Sequence, residues 1–324
     1  MNKIILIGIL LTSLFGADIK QPIGHFISSG NVVDLVYKEG KVYSGTDAGT
    51  VDIFDFKSKK LLKQIKLEQI KDFIGDDVDS KVFSVDIIDD KILILSQTKQ
   101  GYRRVHIHQN NKTELLIDFS KALTIAKAKF LNKSTILLGL LSSELISYDM
   151  TTAKQNWSIQ VSGAKFSDFC LNEEKSEVVV ADESGNLKMH STKNGKFIRV
   201  LEGQNLDNVF QVDYKNKIIA TAGQDRRVVI YDVQSNLAYY KQSNFLVYSV
   251  GLSPSGNRVA YASDENNNVT LFDTTTKSTL GIFGGNKITL SNIVFIDENS
   301  FLVSSNDKII NLYSVNKSGA RDGL

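Results

Sequence analysis

The chain has 324 residues, 42% hydrophobic and 23% charged, the balance of a globular protein with a sizeable core and not of a disordered or fibrous chain. Its formal net charge is +2 and no basic run carries interleaved aromatics, which argues against nucleic-acid binding. With one cysteine, Cys170, it has no internal disulfide, and with two prolines it has no Pro-rich linker dividing it.

Residues 1–17 read as a cleavable signal peptide, with a buried N-terminal helix as the other reading. Asn2 and Lys3 give a short positive start. Residues 4–11 form an apolar run too short to span a bilayer, and residues 13–17 end in small side chains before Asp18. Phe15 or Leu14 falls where a small residue is preferred, so cleavage after Gly16 and after Ala17 both fit. No cysteine follows the run to carry a bacterial lipid anchor. The mature protein, residues 18–324, is expected to be periplasmic and to have no membrane span.

Next along the chain comes a repeat. Alternating strands end at Asp55, His108, Asp149, Ser191, Asp232, Asp273 and Ser314, at intervals of 53, 41, 42, 41, 41 and 41 residues. Seven copies near a period of 41 predict an all-β fold, a seven-bladed β-propeller of four-stranded blades. Each copy has an apolar-x-apolar strand, as at residues 83–87, 210–214 and 248–252, then a turn and a second strand such as 218–222. A polar turn follows, carrying Asp47, Asp182, Asp225, Asp264 or Asp307, then the alternating strand and a fourth strand such as 197–200. No helix is expected after the leader. The last copy stops at Val315 without a fourth strand, and residues 19–27 precede the first copy. That segment is predicted to supply the missing outer strand of blade 7 and so pair an open edge; residues 22–26 match 279–283 in texture.

The stretches AGQDRRVVIYD (222–232), SDENNNVTLFD (263–273) and LSPSG (252–256) resemble the WD40 family. The Trp of that family's Trp-Asp pair is Phe54, Tyr231, Phe272 or Tyr313 here, and no copy has a clear Gly-His pair. The family's buried Asp-His-Ser/Thr-Trp network is therefore mostly absent. Residues 155–158, Gln-Asn-Trp-Ser, are similar to a quinoprotein-type propeller repeat. Trp157 is the only tryptophan, so recurrent tryptophan docking is not expected around the ring. The leader followed by degenerate repeats, without lipobox or cysteine pairs, also resembles the NapL-type exported accessory propellers of periplasmic nitrate reductase systems. This implies protein partners among periplasmic nitrate reductase components and no cofactor of the chain's own.

The interval from Asp55 to Val85 is 30 residues, against 18 from Asp232 to Val250 and 20 from Asp273 to Ile293. The surplus falls at residues 69–80, where Asp72, Asp76, Asp77 and Asp79 surround the apolar Phe73 and Ile74. An acidic loop with an apolar tip, on the face of the Asp225-type turns, suits docking of a partner; a solvated insertion is the alternative. A calcium loop is disfavoured because the spacing matches no EF-hand. Arg103 with Arg104, and Arg226 with Arg227, open equivalent strands. They can bind carboxylates or phosphates, or simply keep an edge soluble.

His106 and His108 lie two apart and face one way, as half a metal site or as interstrand or surface histidines, and His190 reads as structural. Cys170 occupies the place of Gly251 and reads as a buried structural thiol, with a reactive thiol as the alternative. There is no Gly-rich phosphate loop, zinc spacing, nucleophile elbow, haem motif or Cys₄ set. The expectation is a non-catalytic, exported interaction scaffold. The alternatives are a propeller-type outer-membrane assembly factor, or a lactonase-like enzyme, which needs convergent carboxylates and histidines at the channel mouth.

Overall fold

Each copy of the repeat folds as an antiparallel sheet of four strands, A innermost to D outermost, in a computed structural model that describes residues 18–317. The signal peptide expected over residues 1–17 lies outside the described residues. Blade 1 shows the pattern: Val32–Lys38, Lys41–Thr46, Thr50–Asp55 and Leu61–Lys66, joined in order. The A strands stand side by side around a central axis. Seven such blades make a β-propeller. Period-two alternation drives this: side chains point to both faces of each sheet, and both faces need cover. Each junction between neighbouring blades accordingly holds one apolar cluster, for example Ala220, Val228, Val247, Val259 and Phe272 between blades 5 and 6. Burying each Val, Leu, Ile or Phe stabilises by roughly 1.5–3 kcal/mol, so the junctions carry the fold.

In six blades the pairing of A with B slips by one residue near the start of A, at Val33, Phe83, Ala126, Ser167, Phe210 and Ser291. Such bulges sharpen the twist that lets a sheet radiate from an axis. Among the described residues there is no α-helix, only two 3₁₀ turns, Lys99–Gly101 and Phe119–Lys121.

The ladders correct the sequence register in blade 2. The last large residue of strand C pairs with the second residue of strand B in every blade: Phe54 with Val42, Tyr148 with Ile136, Tyr231 with Ile219, Phe272 with Val259 and Tyr313 with Phe301. In blades 2 and 4 the same place is held by His108, opposite Ile92, and His190, opposite Val178. The counterpart of Asp55 is therefore Gln109 and not His108. The period hid this because strands C and D of blade 2 join through only Asn110 and Asn111, both left-handed (φ 50° and 61°). Other blades use a longer turn that begins at the strand-ending Asp. There Asp149, Asp232 and Asp273 each accept two backbone N–H groups, and Asp55 accepts Ser58 N; with the Ser235 hydroxyl leading at Asp232, these bonds hold the carboxyls below their usual range.

The ring closes through the N-terminal segment, in a different way from the single strand expected over 19–27. Gly24–Ile27 pairs antiparallel with Ile309–Ser314 and is strand D of blade 7. Its Gly24 faces Leu312, as Gly281 of blade 6 faces Leu271. Ile19–Lys20 instead adds a fifth, parallel strand outside Thr279–Phe283 of blade 6. Pro22, which has no N–H to give to a ladder, sits between the two pieces.

That split has a physical reason. A side chain on strand D repeatedly donates to one backbone carbonyl in the next blade: Trp157 Nε1 to Thr192 (3.1 Å), Arg199 to Val233 (3.0 Å) and Tyr239 Oη to Thr274 (2.6 Å). In blade 6 the matching residue is Gly281, which has no side chain. Lys20, whose Cε lies 3.9 Å from where a Gly281 Cβ would be, donates to the next carbonyl in the series, Val315. The docking geometry expected to fail with a single tryptophan thus recurs with four different donors.

Candidate functional site

Residues 69–80 form a small ordered hairpin where the sequence suggested an open loop. Ile70–Lys71 pairs with Asp77–Val78, and Asp72 makes the turn: its Oδ1 accepts from Ile74 N and Asp76 N, both at 2.9 Å. Gly75 takes φ 96°, a conformation a side chain resists. Ile70 is buried at the base, while Phe73 is 97% exposed and Ile74 68% exposed at the tip. Lys66 holds Asp79 at 2.7 Å and also donates to Ala48 O in the B–C turn of blade 1, so the hairpin rises from the face of the B–C turns, as expected. Lys71 pairs with Asp77 at 2.8 Å. The four acids do not act as one anionic cluster: Asp72 serves the turn, Asp77 and Asp79 are paired, and Asp76 stays exposed. Leu206, Phe245 and Ile288, in three other D-to-A connections of this face, are also exposed.

Three of the four candidate arginines, Arg103, Arg104 and Arg227, are held by internal contacts. Arg104 donates to Glu68 O (2.9 Å) and Ser80 Oγ (3.3 Å), bracing both feet of the hairpin. Arg103 stacks on Phe83 at 3.8 Å from the ring centre, and Arg227 lies 3.9 Å from that of Tyr240 while donating to Gln204 O. Arg226, in the left-handed turn before that strand, is exposed. The structure does not bring the two pairs together as one anion fork.

His106, His108 and His190 are buried in the blades, whereas His25 is exposed on the strand that closes blade 7. His108 bonds Thr113 Oγ1 (2.7 Å) and Lys63 Nζ (2.8 Å), and His190 Nδ1 meets Gly195 O at 2.9 Å. His106 is forced down to about 4, first by burial and then by Arg104, so it is neutral at physiological pH. No group of three or more His, Cys, Asp or Glu is placed to hold a metal among the described residues.

No pattern in the sequence pointed to the axial cavity. A cavity of about 570 Å³ runs from mid-channel to the face of the A–B turns, opposite the hairpin. Four aspartates line it, and each reaches across a blade junction to a backbone N–H: Asp34 to Val85 (2.7 Å), Asp86 to Phe130 (2.7 Å), Asp168 to Val212 (3.1 Å) and Asp213 to Leu252 (2.8 Å). Lys127 pairs with Asp168 at 2.6 Å, and Lys129 donates to Val85 O (2.7 Å) and Asp34 (3.3 Å). Burial, the largest single influence, pushes Lys127 down, but the neighbouring charges, Asp168 foremost, together with the Asp168 hydrogen bond lift it above the ordinary lysine value. Cys170 also lines this space, only partly buried, with Sγ 3.5 Å from Asp213 Oδ1. Burial first, then Asp213, pushes its thiol up to about 12, which leaves it protonated and a poor nucleophile at neutral pH. It does sit in the place of Gly251, but it faces the channel and not a closed core.

Among the described residues no helix is long and apolar enough to cross a membrane. No protein-family model matches the chain. No curated protein matches it significantly.

Proposed function

We propose that this chain is an exported, non-catalytic interaction scaffold that docks a protein partner on its B–C turn face through the hairpin at residues 70–78. The observation that carries this reading is the fully presented Phe73 on a braced hairpin. A large aromatic held in water by an ordered turn costs solvation and makes no internal contact that explains it. The bracing by Arg104, Lys66 and Asp72 lowers the ordering cost of binding. The NapL-type resemblance supplies the narrower form: the partner is a component of periplasmic nitrate reductase, and the chain assists its assembly.

The test is binding of purified periplasmic nitrate reductase to the mature chain and to its Phe73→Ser/Ile74→Ser variant. Saturable binding, weakened at least tenfold in the variant with the thermal midpoint unchanged, supports both the surface and the partner. Equal binding by the two proteins overturns the hairpin as the docking element, and no binding by either overturns the nitrate reductase assignment.

A further inference from the structure

The axial cavity has two unlike walls. At one level of strand A the cavity is lined, in chain order, by Val36, Asp86, Lys129, Cys170, Asp213 and Val294, while Gly251 of blade 6 packs closely against the Ile293 backbone of blade 7. Blades 7 and 1 are neighbours in the ring, so Val294 and Val36 form one apolar arc, flanked by Pro254 of blade 6, and blades 2 to 5 form a polar one. Two residues further along, at the mouth of the polar arc next to blade 6, stands Lys215.

Lys215 is the channel lysine whose hydrogen bonding is unspent. Lys127, Lys129 and Lys175 each donate to a carboxylate or carbonyl, whereas Lys215 Nζ has no hydrogen-bond acceptor among the described residues. Its neighbouring charge, Asp213, is occupied: one oxygen accepts from Tyr214 N and Cys170 Sγ, the other from Leu252 N. Asp213 nonetheless raises the lysine's proton affinity, so the ammonium stays charged at neutral pH. A half-buried ammonium with three unspent N–H groups, set beside an apolar arc in a cavity of small-molecule size, is an incomplete site.

We propose that this cavity binds a small amphipathic organic anion, its carboxylate on Lys215 and its aliphatic or aryl body along Pro254, Val294 and Val36. The aspartates' charges are offset by lysines, Lys127 on Asp168, Lys129 on Asp34 and Lys175 on Asp86 with Lys215 beside Asp213, and each carboxylate is held in place by a backbone N–H of the next blade. The site lies on the face opposite the hairpin and stands independently of the docking proposal.

Octanoate is a suitable probe, titrated calorimetrically into the mature chain with octanamide as its uncharged counterpart. The expected result is saturable one-to-one binding of octanoate, at least tenfold weaker for octanamide. Lys215→Met should weaken octanoate at least tenfold and leave octanamide unchanged. Val294→Asp, on the opposite arc, should abolish both and serves as the second variant if Lys215→Met fails to fold. Absence of saturable octanoate binding overturns the proposal, as does equal affinity of wild type and Lys215→Met, or of wild type and Val294→Asp.

Discussion

The inner ring and the outer rim of this propeller tie the same blades together in opposite chemical senses. Around the axis, a side chain accepts a hydrogen bond from the backbone of the next blade, as Asp34 does from Val85 and Asp213 from Leu252. At the rim, a side chain donates to a backbone carbonyl, as Trp157 does to Thr192 and Tyr239 to Thr274. Few side chains accept well from a buried N–H, so the inner ring is written in Asp, with help from Gln211 and Ser84. Many side chains donate, so the rim is written in Trp, Arg and Tyr at one position of strand D, with Lys20 reaching in from the added strand at blade 6. A repeat can therefore lose its signature residues and keep its geometry wherever the conserved partner is backbone.

The largest break in this comparison is expected at the closing seam, where neither network is local in sequence. Phe26, 1% exposed on the N-terminal strand of blade 7, meets Phe54 of blade 1 edge-on at a centroid distance of 5.6 Å. Phe26→Ala empties a site in the junction of blades 7 and 1 and should cost about 3–5 kcal/mol in urea unfolding. A loss below about 1 kcal/mol would mean that the N-terminal strand is dispensable for closure.

The inner ring comes next. Asp168→Ala leaves Lys127 without its carboxylate and Val212 N without an acceptor, and should cost about 2–4 kcal/mol. Asp168→Leu combined with Lys127→Met should recover most of that, because the uncompensated charge is gone. The pair also sets a pH dependence. Lys127 has a folded value above the unfolded lysine value, so its contribution is complete below about pH 10.4 and fades as pH rises through the folded value. Wild type should therefore lose stability relative to the double variant in alkaline unfolding experiments, and parallel curves would refute the pairing.

The blade count, the strand order and the closure by the N-terminus were legible because period-two alternation and a 41-residue repeat survive substitution of individual residues. Blade 2 was misread by one position because His108 stands where five of the blades carry Phe or Tyr, and a two-residue turn shortened the count. The split of residues 19–27 could not be read: it depends on Gly281 lacking a side chain for Lys20 to replace, a relation across two distant strands. The exposed tip at Phe73 was legible as a surplus in an otherwise regular spacing. The axial cavity was not, because its lining is assembled from one or two residues of each blade and has no run in the sequence.

The smallest expected effect tests the rim. Tyr239→Phe keeps the ring, including its contact with Lys277 at 4.3 Å, and removes only the hydroxyl that donates to Thr274 O. It should cost about 0.5–1.5 kcal/mol, the worth of one partly buried hydrogen bond. Tyr239→Arg should cost less than Tyr239→Phe despite being the larger chemical change, since Arg199 already fills the equivalent place one blade earlier and donates to Val233 O. Urea unfolding of the two variants decides between donor capacity and aromatic packing. If Phe is tolerated and Arg is not, the ring contact holds this seam and the donor series at the rim is incidental. If Arg is tolerated and Phe is not, the rim selects for a donor alone, and that selection explains why strand D shows no recurring residue.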